Sequence, residues 1–223
     1  EAFDLLRQQG VDGIIWVPSS DVIPETVQQL SCPLVIIDRP VPGFDAVHSD
    51  YRKGGQLLAE YAIKMGHKRI GLLSGPSHIE GARRRRQGFL DIAEKNRELL
   101  EIVWDTEVAF NTELSDKARD LLKQNSVSLI VAADDLIAVG SMSALAEMNI
   151  NVPKDVSITG YDNIPWSTVV IPKLTTVNQP TAAMGEEAVD MLMQKIADPD
   201  KPSRTVLLGV ELIERQTVLP FTV

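Results

Sequence analysis

Short apolar runs of strand length alternate along this chain with segments whose apolar positions recur every three to four residues. The first run is Val11 to Val17, followed by a helix predicted around Ile23 to Leu30 and a second run at Leu34 to Ile37. Tyr51 to Met65 reads as a helix with Leu57, Leu58, Tyr61 and Met65 on one face, stopped by Gly66. Ile70 to Leu73 is the next strand, Ile79 to Lys95 the next helix, and Ile102 to Trp104 a short apolar run. Glu113 to Gln124 is predicted helical, with Leu114, Ala118, Leu121 and Leu122 turned inward. Then come a strand at Val127 to Ala132, a helix at Asp135 to Met148, a strand at Val156 to Gly160 and a helix at Ala182 to Ile196. Thr205 to Leu208 and Val210 to Glu214 read as two short terminal strands broken at Gly209. At the start, Glu1 to Gln9 reads as the closing turns of a helix, with Phe3 and Leu6 apolar and Gly10 as its stop, so a segment upstream is expected.

The strands are continuously apolar rather than alternating, and most are followed by a helix. That combination predicts an α/β fold with parallel sheets covered on both faces. In such sheets ligands sit outside the carboxyl ends of the strands. Asp38 follows Val35-Ile36-Ile37, Gly75 and Pro76 follow Leu72-Leu73, Asp134 and Asp135 follow Val131-Ala132, and Asp162 follows Ile158-Thr159-Gly160. A core has no reason to place acids there. Capping of the next helix is the preferred role for Asp135; Asp38, Asp134 and Asp162 are read as converging on a polar site.

The 223 residues are 44% hydrophobic, enough for one large core or two smaller ones. No stretch approaches the roughly 20 uncharged apolar residues needed to span a bilayer, so no membrane partner is expected. The formal net charge of −9 repels a phosphate backbone, which assigns any nucleic-acid contact to another segment. Cys32 is the only cysteine, which favours a reducing, cytoplasmic compartment, and its place before Pro33 and an apolar run reads as core filler. His48, His67 and His78 lack ligand spacing, so no metal is expected. The chain has no Gly-x-Gly-x-x-Gly, no Walker loop and no Gly-x-Ser-x-Gly elbow. Neither catalysis nor a cofactor is expected.

The strand-end residues lie inside motifs that resemble the lactose-repressor/galactose-repressor (LacI/GalR) family of transcription regulators. The motifs are Val35-Ile36-Ile37-Asp38-Arg39-Pro40, Met65-Gly66-His67-Lys68-Arg69-Ile70-Gly71, Arg85-Arg86-Gln87-Gly88-Phe89 and Asp135-Leu136-Ile137-Ala138-Val139-Gly140. The most specific block runs from Val152-Pro153 to Asp162 and on through Pro172-Lys173-Leu174-Thr175-Thr176-Val177. The resemblance implies two Rossmann-like subdomains of the type I periplasmic-binding-protein kind, with an effector cleft between them. One would be residues 1–48 plus 181–209, the other 49–180 plus 210–223. It further implies that the family's first strand and its N-terminal helix-turn-helix, which binds operator DNA, lie outside this chain.

By the same resemblance, Arg85 would reach ligand hydroxyls with its fork of donors, and Asp162 would be the ligand-binding acid after Gly-Phe/Tyr. Asp134 stands where many relatives carry Asn, and so would accept hydrogen bonds without donating. Asp38 aligns with a contact seen in some relatives. Phe110 falls where an aromatic is offered to the apolar side of a sugar ring, or packs in the core. Gln179 lies at the last cleft-side crossing, and His48 at the first, where it lines the cleft or is a surface or internally satisfied histidine. His67 belongs to a signature read as structural. Carboxylates, one Arg and an aromatic suit a neutral sugar-like effector. Purine-binding relatives carry a further Arg six positions before the Arg85 position, where this chain has Ile79. The expected function is the effector-sensing core of a homodimeric repressor; the rival is a secreted sugar-binding protein of a transport system. A dimer is expected because no Leu-rich heptad tail follows Arg215.

Overall fold

The computed structural model describes residues 2–19 and 22–221; Glu1, which opens the expected first helix, lies outside the described residues, as do Ser20, Asp21, Thr222 and Val223. In chain order the elements begin α1 (Ala2–Gln8), β1 (Ile14–Trp16), α2 (Glu25–Gln28), β2 (Leu34–Ile37) and β3 (Asp45–Ser49). They continue α3 (Tyr51–Lys64), β4 (Arg69–Ser74), α4 (Glu80–Lys95), β5 (Glu101–Glu107), α5 (Asp116–Lys123), β6 (Leu129–Ala132) and α6 (Asp135–Glu147). The last are β7 (Ser157–Asp162), α7 (Trp166–Val169), β8 (Thr175–Asn178), α8 (Thr181–Ala197), β9 (Thr205–Leu208) and β10 (Glu211–Ile213).

The chain forms two compact units, one of Glu1–Asp50 with Pro180–Gly209 and one of Tyr51–Gln179 with Val210–Val223. The first holds a four-stranded sheet in the order β1-β2-β3-β9, with every pairing parallel. Its two apolar clusters are built around Ile14, Val27, Leu34 and Ile36, and around Val35, Val47 and the inward face of α8 at Met184, Ala188 and Met191. The second unit holds a six-stranded sheet in the order β10-β8-β7-β6-β4-β5. Five of its strands are parallel, but β10 runs antiparallel to β8, pairing Glu211 with Asn178 and Ile213 with Thr176. The α/β fold with parallel sheets is as expected, and at this edge an antiparallel strand joins without the crossover helix that a parallel one requires.

Two strands were absent from the apolar pattern, β3 and β8, and the reason is chemical. Asp45, His48 and Ser49 of β3 are buried, and Asp45 Oδ1 accepts a hydrogen bond from the Arg204 amide at 2.9 Å. Thr175 and Thr176 of β8 are buried as well; the Thr175 hydroxyl accepts from the Arg215 amide, and the Thr217 hydroxyl accepts from the Thr175 amide, both at 2.9 Å. Buried polar side chains that are satisfied by hydrogen bonds read as loop in a hydropathy pattern.

α3 and α4 cross closely because Gly55 and Gly88 lack side chains: a Cβ at Gly55 would overlap the Arg85 carbonyl oxygen, and one at Gly88 the Arg52 carbonyl oxygen. This backbone-to-backbone packing fixes the height of Arg85 above the sheet.

Candidate functional site

In the six-stranded sheet, the carboxyl ends of β4, β6 and β7 bring charged residues together. β6 ends at Ala132, so the following helix is capped by Asp134: its Oδ1 accepts from the Ile137 amide at 2.7 Å. This corrects the capping role expected of Asp135. Asp135 is the first residue of α6 and is fully buried, its Oδ1 accepting from the Thr176 hydroxyl at 2.6 Å and its Oδ2 from the Ile164 amide at 2.9 Å. Two adjacent acids compete for one cap, and the end of β6 decides between them. Burial pushes Asp134 up to about 6 against the pull of the Ile137 amide, with the Asp162 charge adding to the rise. Burial likewise pushes Asp135 up to about 7, opposed by Thr176 and Ile164 and reinforced by the charges of Asp162 and Asp134.

Arg85 projects from α4 into this group. Its Nη2 lies 3.1 Å from Asp162 Oδ1 and its Nη1 donates to the Ala133 carbonyl at 2.8 Å. The guanidinium carbon sits 3.9 Å from the ring centre of buried Tyr161 and 5.4 Å from that of buried Tyr51. A planar cation held against aromatic faces loses little further freedom when it binds. Asp162 ends β7 with φ of 103°, in the left-handed region, and Asn163 follows at 57°. Gln179 Nε2 donates to Asp162 Oδ1 at 2.6 Å. Four of the expected residues, Arg85, Asp134, Asp162 and Gln179, thus form one group.

Phe110, beyond β5, lies in the same unit. It is half-buried against the apolar cluster of β6 and α6, with its ring where a side chain on Gly75 would otherwise stand. Asp38 and His48 belong to the first unit. Asp38 follows β2 at φ of 77°, its amide donating to the Val47 carbonyl at 2.9 Å, with its carboxylate 3.9 Å from Arg39 Nε. His48 is buried in β3, with Nδ1 3.0 Å from the Ser49 carbonyl oxygen. Sequence reasoning passed over Tyr51, Tyr161 and the structural hold of Asp135. For Tyr161 the signal was an aromatic directly before Asp162; for Tyr51 and Asp135 the partners are too distant in sequence to be read. Among the described residues no group of His, Cys, Asp and Glu is arranged to hold a metal ion, and no helix is long and apolar enough to cross a membrane.

Residues 36–218 match the model of the periplasmic binding protein-like domain. The chain belongs to that family. Within it, the chain is 31% identical over 222 residues to the HTH-type transcriptional repressor PurR of Vibrio vulnificus, covering 96% of this chain and 66% of that protein. The PurR repressor of Haemophilus influenzae strain PittEE is 30% identical over 224 residues, with 64% of its length covered. The chain therefore spans a little under two thirds of the length of the curated relatives it matches. A LacI family transcriptional regulator from Enterococcus faecalis V583, solved with bound ribose, is 29% identical and superposes with a TM-score of 0.82 over 99% of this chain and 82% of that one. A dimeric Lac repressor with an 11-residue C-terminal deletion is 26% identical, with a TM-score of 0.86 over 98% and 81%. Across nearly its whole length this periplasmic binding protein-like domain is thus similar to PurR repressors and to LacI-family regulators.

Proposed function

We propose that this chain is the effector-sensing core of a transcriptional repressor and that its effector is a small neutral sugar. The observation that carries the reading is the Arg85–Asp162–Gln179 group beside Asp134 at the ends of parallel strands. Carboxylates accept from sugar hydroxyls and Arg85 donates to them, so a polyol matches the group in both senses. Each polar atom enclosed with ligand must find a partner, because an unmade hydrogen bond costs about 1–3 kcal/mol. Acids outnumber the single Arg85 here, which disfavours a phosphorylated or carboxylated effector. The ribose bound to the Enterococcus faecalis regulator supports a sugar, and the repressors among the relatives support regulation rather than transport.

Phe110 would face the apolar side of the sugar. Operator DNA would be held by a helix-turn-helix outside this chain, in a cytoplasmic homodimer, and no ligand turnover is expected. The effector acts only if it binds two states of the dimer with different affinity.

A thermal-shift panel of pentoses, hexoses, disaccharides, sugar phosphates and purines tests the reading, with an Arg85→Ala control for each compound. A sugar at about 100 times its dissociation constant stabilises by roughly 2.7 kcal/mol. The expected result is one sugar that stabilises the parent and not the variant. Stabilisation only by purines or sugar phosphates would overturn the sugar assignment, and a sugar hit indifferent to Arg85 would overturn the site.

A further inference from the structure

Asp135 is fully buried, where a carboxylate is costly unless it does something for its surroundings. Its Oδ2 takes the amide of Ile164, the residue that completes the left-handed turn at Asp162 and Asn163, and its Oδ1 takes the hydroxyl of Thr176 on β8. Room for Oδ1 exists because Gly160 has no side chain; a Cβ there would overlap it. Left-handed non-glycine residues persist only where their surroundings over-determine them. The far side of this turn is held too: Arg215 Nη2 donates to Asn163 Oδ1 at 2.6 Å, and Asn163 Nδ2 donates to Asn178 Oδ1 at 2.9 Å.

We propose that Asp135 is a positioning residue for effector binding: by gripping Ile164 and Thr176 it fixes the turn that holds Asp162 between Arg85 and Gln179. The inference rests on the proposed effector site. Asp135 itself does not touch the ligand. The charged groups acting on it are Asp134 at the cap of its own helix and Asp162 on β7, while Arg85 from α4 acts on Asp134; β8 offers only the neutral Thr176. Asp135 loses its proton at about 7 and Asp134 at about 6. The protonated acid can donate to the Thr176 hydroxyl and still accept from the Ile164 amide, so the grip on the turn survives the change of charge.

The test compares the parent chain with Asp135→Asn and Asp135→Ala in two measurements. The first is hydrogen exchange of the Ile164 amide without ligand. The second is calorimetric affinity for D-ribose, or for the sugar that the panel selects, at pH 8. Asn can still accept from Ile164 while donating to Thr176, so Asp135→Asn should keep the amide protected and bind within about threefold of the parent at pH 8. Asp135→Ala should expose the amide and weaken binding about tenfold or more. An unchanged Ile164 amide in a folded Asp135→Ala, or an Asp135→Asn that exposes the amide as Asp135→Ala does, would overturn the proposal. If no sugar binds the parent, the effector reading fails, and the exchange measurement alone decides whether Asp135 holds the turn. Should Asp135→Ala not fold, the Ile164 exchange of Asp135→Asn carries the test: a protected amide supports the hold and an exposed one overturns it.

Discussion

The two ends of the six-stranded sheet share the same two apolar clusters and are built on opposite principles. At the amino ends, His67 before β4 is buried with both ring nitrogens engaged, Nδ1 3.0 Å from the Ser128 hydroxyl before β6 and Nε2 3.1 Å from the Leu219 carbonyl. Its ring lies 5.7 Å from that of Phe221, and the Leu219 amide donates to the Ser157 hydroxyl of β7. The C-terminal segment is thereby tied across three strand starts by neutral hydrogen bonds. At the carboxyl ends sit Arg85, three acids and two left-handed residues in sequence. Burial favours the neutral form at both ends, lowering His67 and raising Asp134 and Asp135. The pH responses are nonetheless opposite. A histidine with a lowered pKa costs stability as pH falls below the ordinary value of about 6.5, because the unfolded chain takes up the proton first. An acid with a raised pKa adds stability as pH falls through its folded value, because the folded chain takes up the proton first. One end is thus most stable at neutral pH and above, while the other gains stability as pH falls.

The strongest way to break this contrast is Gly160→Ala. The added methyl would strike Asp135 Oδ1 and crowd Leu174, so we expect a loss of about 3 kcal/mol together with loss of sugar binding. Chemical denaturation and calorimetry read the two effects; full sugar affinity in a destabilised variant would show that Asp135 does not serve the site. At the other end, His67→Ala removes two hydrogen bonds and a ring contact, with an expected cost of about 2 kcal/mol. Sugar affinity should stay within about twofold, since the sheet transmits no strain from a neutral clasp. A tenfold change in affinity would mean that the two ends are coupled.

A smaller effect isolates the sign of the pH response. Asp135→Asn removes the group that titrates at about 7 and leaves His67 in place. Between pH 8 and pH 6 the parent should therefore gain about 1 kcal/mol relative to the variant. Parallel denaturation curves at the two pH values measure the difference, and a gain equal in both proteins would remove Asp135 from the account.

Much of this arrangement was legible in the chain. The buried parallel strands β2, β4 and β6 read as unbroken apolar runs because both of their faces are covered. Gly88-Phe89 set the register of Arg85, and Gly160 that of Asp162, and the fold brings these two residues to 3.1 Å. What was not legible depends on distant partners. The roles of Asp134 and Asp135 turn on the last residue of β6 and on Thr176, 41 positions further along. β3 and β8 hide because Asp45, Thr175 and Thr176 are polar and become buried only when their hydrogen bonds form. The tyrosine faces around Arg85 come from α3 and β7, on either side of it in the chain.

The smallest expected effect tests how finely the carboxyl end is tuned. Gln179 donates to the same Asp162 oxygen that faces Arg85, so it shares in holding that carboxylate. Gln179→Ala leaves Arg85 in place and lets water reach the vacated position, and half-exposed hydrogen bonds to a charged acceptor contribute about 1 kcal/mol. Sugar affinity should fall about fivefold with little change in stability. Gln179→Glu replaces the donor with a like charge beside Asp162 and should cost more, and its loss should shrink as the pH is lowered and the added carboxylate is neutralised. If both variants bind as the parent does, Arg85 alone fixes Asp162, and the carboxyl end needs one clasp where the amino end uses two.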